Sequence, residues 1–335
     1  MRKFFSNLCK NIFFIDNSYV GSKKYKIYHI FRFKIKIRVR YFNNLRIFIK
    51  NSKPTPLDKI IEKSNKKVYV SIVAIFKDEP DILEWIEYHI LIGVERFYLY
   101  DNESDEKYYK MLQPYIDLGI VVYKKIYGKC LQIPAYQDAI YRYKNETEWM
   151  AIIDLDEYIV PVEKDNLKDF LKDYEQYPAI VANWVMFDSN GLIERNPAKT
   201  VIESFTSVYR NYNTLINCTI KSIVKPTKVR YINSVHACIY KNNELAVNEN
   251  FEKIAGGSYF YTKSNSIKKI RINHYHCKSR KEYIEKIHKG FADQLQLRHF
   301  DEKKINFSET CQDFVILKYL SKLKDRLQIK NKTTI

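Results

Sequence analysis

Asp154-Leu155-Asp156-Glu157 places three carboxylates within four residues, directly after the apolar run Trp149-Met-Ala-Ile-Ile. Acids crowded at the end of a hydrophobic strand demand a counter-charge. Asp154 and Asp156, two residues apart, point the same way in an extended chain, and their oxygens suit Mn2+ or Mg2+ bridging a diphosphate. A metal so held neutralises the charge that builds on a departing nucleotide diphosphate. The plainer reading of an Asp-x-Asp is a strand capped by acids at the start of a solvated loop, so the place of the pair in the fold has to separate the two.

Other polar clusters stand at predicted strand ends. In Arg271-Ile-Asn-His274-Tyr275-His276-Cys-Lys278-Ser279, two histidines close a strand just before a helix. A neutral imidazole is a good third ligand for a metal held by Asp oxygens, which makes His274 a candidate; the alternative is an ordinary half-buried histidine. Lys278 and Ser279 are placed to meet phosphate at the following helix N-terminus, although Ser279 is equally a plain N-cap. Asp101 and Asn102 offer a carboxylate and an amide to a base or ribose, or else simple turn and N-cap chemistry with Ser104. Lys77 and Glu79 read either as a binding loop or as charges at a helix start. His236, between short strands, is a candidate for the same cleft, whereas His29, His288 and His299 lack such a context.

From residue 68 onward, short apolar runs alternate with helical periodicity. Strands are predicted at Val68–Phe76, Arg96–Tyr100, Ile120–Lys124 and Trp149–Leu155, and helices at Asp81–Ile92, Lys107–Leu118 and Gln132–Lys144. Such alternation implies a Rossmann-like, mostly parallel sheet flanked by helices, with ligands at the carboxyl ends of its strands. The acidic motif follows the fourth such strand, which favours a ligand site over a capped loop. After Pro161 the pattern loosens into β-rich pieces at Ile180–Phe187, Thr219–Val224, Lys228–Tyr231 and Lys268–Ile272. Helices return at Arg280–Gln296 and Asp313–Leu327.

The net charge of +18 is uneven, because residues 1–67 hold eighteen Lys/Arg against three Asp/Glu. The remainder is nearly neutral and carries no RNA- or DNA-reading motif, so a nucleic-acid partner is not expected. Phe31 to Arg40 alternate strictly between apolar and basic residues. With Phe4, Phe5, Ile12, Phe13 and Phe14, they read as an interfacial anchor on anionic lipid or, alternatively, as a solvated edge strand. The expected organisation is a basic segment over 1–50, a linker over 51–67, a catalytic domain over 68–300 and a helical extension over 301–335. The six scattered cysteines show no Cys-x-x-Cys pair, and neither a membrane span nor a signal peptide is apparent. A cytoplasmic protein, peripheral on the inner face of the plasma membrane, is therefore expected.

Several segments together resemble glycosyltransferase family 92, itself similar to the larger family 2. They are Phe76-Lys-Asp-Glu79 with Leu83-Glu-Trp-Ile-Glu-Tyr-His89, Phe97 to Ser104, Gln132 with Ala135-Tyr136, Trp149 to Pro161, and Asn183-Trp184 to Gly191. Lys221 to Pro226, Val235-His236-Ala237, and His274-Tyr275 with Lys278-Ser279, Lys286 and Gly290 complete the series. The resemblance implies a GT-A fold and a nucleotide-sugar donor, UDP-galactose first, transferred with inversion to a glycan or glycolipid of the lipopolysaccharide or capsule type. It also implies a divalent metal at Asp154 and Asp156, completed by His274, with Glu79 and Asp101 along the nucleotide; Lys77, Asn102, Gln132, Asp154 and Lys278 are further candidates to bind the nucleotide sugar. Where the family shows Phe-Gly-Ser, this chain has Phe187-Asp188-Ser189, so no family role carries over to Asp188. Inversion needs a carboxylate to take the acceptor's proton, and Asp188 and Glu157 are the candidates. Trp184 and His236 are candidates to line the acceptor site, with Trp184 as an apolar platform or else a core residue, while Phe187 reads as core. A nucleotidyltransferase is the neighbouring alternative, but the glycine-rich phosphate loop that it needs after the first strand is replaced by Lys77-Asp-Glu-Pro80.

Overall fold

The computed structural model describes residues 14–20, 23–30, 33–39, 67–254, 260–293, 295 and 298–333. The alternating ribbon is indeed a strand: β1 (Phe14–Val20), β2 (Lys23–Ile30) and β3 (Phe33–Val39) form an antiparallel meander within a unit spanning Met1–Lys53. The rest of the expected anchor, Phe4 to Phe13 included, and nearly all of the expected linker lie outside the described residues.

In the second unit, Pro54–Ile335, the predicted alternation is observed element by element. It runs β4 (Val68–Phe76), α1 (Ile82–Leu91), β5 (Arg96–Asn102), α2 (Glu106–Asp117), β6 (Val121–Ile126), α3 (Gln132–Tyr143) and β7 (Thr147–Ile152). These four strands are parallel, and β4 lies between β5 and β7. The chain therefore steps outward from β4 to β6 and then returns to the other side of β4. That reversal makes the crevice between the carboxyl ends of β4 and β7 the topological switch point, where helices of opposite faces diverge.

The second half is mixed. β8 (Glu157–Pro161), α4 (Leu167–Leu171), β9 (Ala179–Met186), α5 (Val201–Ser204), β10 (Ser207–Tyr209) and β11 (Ile220–Val224) lead to β12 (Val229–Ile232), β13 (Cys238–Tyr240), β14 (Ala246–Val247) and β15 (Lys253–Ile254). β16 (Ile270–His274), α6 (Arg280–Lys289), α7 (Glu302–Ile305), β17 (Thr310–Gln312) and α8 (Leu320–Thr333) follow. β11 joins β7 to β9 antiparallel, which extends the sheet to ten strands among the described residues. α6 stops earlier than its periodicity predicts, at Gly290 with φ 77°, a conformation costly for other residues.

β8 is one of the strands that the sequence does not announce, being five residues long and bounded by acids and a proline. It pairs with β16 on one edge. Its other edge is satisfied by side chains of α1: the Trp85 indole donates to the Glu157 carbonyl (2.8 Å), and the Tyr88 hydroxyl donates to the Ile159 carbonyl (2.8 Å). The Ile159 N–H donates to His89 Nε2 (3.3 Å), whose Nδ1 meets the Trp85 carbonyl (2.7 Å). This arrangement requires the neutral Nδ1–H tautomer. All three rings are fully buried, so Leu83-Glu-Trp-Ile-Glu-Tyr-His89 is a clamp that replaces a missing strand.

Burial pushes His89 down to about 3 from an ordinary 6.5. Between those values the unfolded chain takes up a proton that the folded chain refuses. The stabilisation is therefore complete above about pH 6.5 and lost as pH falls toward 3, at up to about 1.4 kcal/mol per pH unit. Urea unfolding at pH 7, 6, 5 and 4 should show this slope flattened in His89→Gln; equal slopes in both proteins would contradict the assignment. Gly93 offers a second check. At φ +102°, an added Cβ would lie 2.6 Å from Asn166 Oδ1, the atom that caps α4 through the Lys168 N–H. Gly93→Ala should cost about 2 kcal/mol in the same measurement, and an unshifted midpoint would refute the packing argument.

Candidate active site

The acidic motif sits at the switch point. β7 ends at Ile152, and Asp154 to Glu157 form a tight turn in which the Glu157 N–H donates to the Asp154 carbonyl (3.1 Å). The Glu157 carboxylate in turn accepts from the Asp154 N–H (2.8 Å). The extended geometry expected from the spacing is thus replaced by a turn, and the two aspartates acquire separate partners.

Asp154 accepts from Gln132 Nε2 (2.6 Å), the Tyr136 hydroxyl (2.8 Å) and Lys221 Nζ (2.8 Å). Gln132 and Tyr136 lie one turn apart on α3, so both face the same carboxylate. Lys221, the second residue of β11, is wholly buried and also lies 3.2 Å from Glu157. Burial by itself would lower the Lys221 ammonium, but the carboxylates of Asp154 and Glu157 hold it above its ordinary value. Burial, with the neighbouring aspartates, pushes the Glu157 carboxyl up.

Asp156 turns toward β16. His274, the last residue of that strand, pairs opposite Glu157, and the Tyr275 N–H donates to the Asp156 carbonyl (2.8 Å). His274 Nε2 lies 3.5 Å from Asp156 Oδ2. His276 completes the group: one potential ligand atom from each of Asp156, His274 and His276 lies within 4.8 Å of the others. Burial pushes both imidazoles down, toward the neutral form that ligates metals. His274 Nδ1 is buried without a hydrogen-bond partner. A carboxylate with two neutral imidazoles is a donor set that fits a divalent transition metal.

With this geometry in place, the profile of glycosyltransferase family 92 matches residues 66–312. The chain belongs to that family. Galactan beta-1,4-galactosyltransferase GALS3 of Arabidopsis thaliana is 28% identical over 211 residues, which are 58% of this chain and 38% of the relative. A glycosyltransferase family 92 protein of Ricinus communis is 29% identical over 160 residues, 46% of this chain and 28% of the relative. The chain thus spans well under half the length of these curated relatives. Among solved structures, S. aureus TarS aligns with a TM-score of 0.34 and 15% identity, covering 65% of this chain and 38% of TarS.

The other expected site residues are distributed more widely. Glu79, at the end of β4, faces Lys289 of α6 (3.4 Å), and Lys77 is exposed beside it. Lys278 directs its ammonium to Asp81, which Arg195 also approaches (2.7 Å). Asp101 is buried, and its carboxylate accepts from the Ser104 N–H (2.7 Å) and the Tyr123 hydroxyl. That arrangement is the turn chemistry weighed from the sequence. Asn102 donates to the Gly128 carbonyl (3.1 Å). Asp188 accepts from the backbone N–H groups of Asn190 (2.9 Å) and Phe307 (3.2 Å), so both its oxygens are engaged in backbone bonds.

Trp184, half-buried on β9, stands 4.3 Å from the His274 ring and 5.3 Å from the His236 ring, measured between centroids. Phe260 stacks on His236 at 5.4 Å. These rings make an aromatic wall beside the His274 cluster, whereas Phe187 is a core residue.

Lys221 and Tyr136 fall within segments that carry the family resemblance, but their place beside Asp154 is not read from the sequence. The signal for Lys221 is a lone cation inside the apolar strand Ile220–Val224, which requires a buried anion. Removing it leaves the carboxylates beneath it unpaired. Lys221→Met should destabilise the fold by about 3 kcal/mol or more in urea unfolding; a loss within about 1 kcal/mol would show that the buried pair is not needed.

Proposed function

We propose that this chain is a metal-dependent glycosyltransferase that moves a hexose, galactose first, from a UDP-sugar to a glycan acceptor with inversion at the anomeric carbon. The observation that carries the reading is the convergence of His274 and His276 on Asp156 at the β4/β7 switch point. Family membership supports the reaction class, and the galactosyltransferase named among the relatives supports the choice of sugar. The basic N-terminal segment suits work beside an anionic membrane, which favours an acceptor of the lipopolysaccharide or capsule type.

Asp156, His274 and His276 would hold the metal, which supplies charge neutralisation for the leaving nucleotide diphosphate. Asp154, fixed by Gln132, Tyr136 and Lys221, presents its remaining exposed surface toward the crevice; 31% of its side chain is open to solvent. Trp184 offers an apolar face against which a sugar ring can stack, beside the cluster that receives the diphosphate. For the proton of the acceptor hydroxyl, Glu157 has one oxygen without a hydrogen-bond partner, whereas Asp188 has both engaged. Glu157 is therefore the stronger of the two candidates by hydrogen bonding, although its burial requires the acceptor to reach deep into the crevice.

A donor screen tests the proposal. Purified protein with Mn2+ should hydrolyse or transfer from UDP-galactose in preference to other nucleotide sugars, and EDTA should abolish turnover. Asp156→Ala should lower the rate at least about 100-fold without shifting the unfolding midpoint by more than about 1 kcal/mol. Turnover by EDTA-treated wild type at the untreated rate would rule out the metal mechanism.

A further inference from the structure

Lys286 occupies an unusual position for a surface lysine. It lies on α6, two turns beyond the Ser279–Glu282 capping box that fixes the start of the helix. Its ammonium contacts Asp156 Oδ2, the same oxygen that His274 Nε2 approaches at 3.5 Å. It also lies 3.2 Å from His276 Nδ1 and 2.8 Å from the His276 carbonyl. The ammonium thus draws on a carboxylate oxygen and an imidazole lone pair, the donors that a divalent cation would require.

The two lysines of the site differ in freedom. Lys221 is wholly enclosed in β11 and has no exit from its carboxylates. Lys286 keeps about a quarter of its side chain exposed, 25%, on a flexible four-carbon stem. One cation is therefore built in, and the other is exchangeable.

Building on the metal-site reading above, we propose that Lys286 is a resident cation that a divalent metal must displace. Its ammonium closes on Asp156 and His276 and balances the charge of the turn. A metal held by Asp156, His274 and His276 would have to break those contacts, which would free the ammonium. Lys286 would accordingly lower the affinity of these residues for metal. It is a positioning residue, acting through the occupancy of Asp156.

Calorimetric titration of the donor-free full chain with Mn2+ alone tests this, using wild type, Lys286→Met, Lys286→Gln and Asp156→Ala. Both neutral variants at position 286 should bind Mn2+ at least about tenfold more tightly than wild type, because one charge-assisted contact no longer competes. Asp156→Ala should not bind at all. Equal or weaker Mn2+ binding by both neutral variants would overturn the competition while leaving the metal site intact. Absence of Mn2+ binding in wild type and in both position-286 variants would overturn the metal-site reading and this inference together.

Discussion

Three carboxylates in one four-residue turn cannot stand alone. Like charges a few ångströms apart away from bulk water repel by several kcal/mol, and the architecture around Asp154, Asp156 and Glu157 answers that repulsion. β11 supplies Lys221, α6 supplies Lys286, α3 supplies two neutral donors to Asp154, and the end of β16 and the loop after it bring His274 and His276 to Asp156. The partners thus come from separate parts of the chain. The turn is consequently the point at which the parallel half of the sheet, the mixed half and the C-terminal helices must agree in position.

The turn itself needs a rigid base. Glu157 begins β8, and among the described residues β8 has a strand neighbour on one edge only. α1 closes the other edge with Trp85, Tyr88 and His89, and Trp85 holds the Glu157 carbonyl at the end of the acidic turn. α8 packs against α1, and Arg326 reaches Glu87 from it. The C-terminal helix is thereby connected through packing to the placement of the site. Trp85, Tyr88 and the neutral His89 are the means by which the second edge of β8 is completed.

The mixed half contributes selectively. Arg271 and Asp313 form a buried bidentate pair (2.8 and 2.6 Å) that ties β16 to the segment after β17. The end of β16 then delivers His274 between the acidic turn and Trp184. Because β16 runs parallel to β9 and antiparallel to β8, the candidate ligand His274 and the aromatic wall at Trp184 come from adjacent strands.

Much of this was legible in the residues alone. Apolar runs and helical periodicity located β4 through β7 and α1 through α3 to within a few residues, because each of these elements buries a continuous face whose pattern follows from its own geometry. The order of strands and helices placed Asp154 and Asp156 at a strand end, and the place of His274 at the close of a strand marked it as a candidate ligand, whereas the part of His276 emerges only from the fold. What the linear chain could not disclose is partnership. Asp101, Asp188 and Lys278 are chemically apt for a site, yet tertiary neighbours engage each of them in a turn or an ion pair. Lys221 and Lys286 stand 67 and 130 residues from the aspartates they neutralise, and β8 exists only because α1 and β16 satisfy its two edges. Local periodicity determines which elements form. Which charges meet depends on long-range contacts whose energy is realised only when those elements have packed.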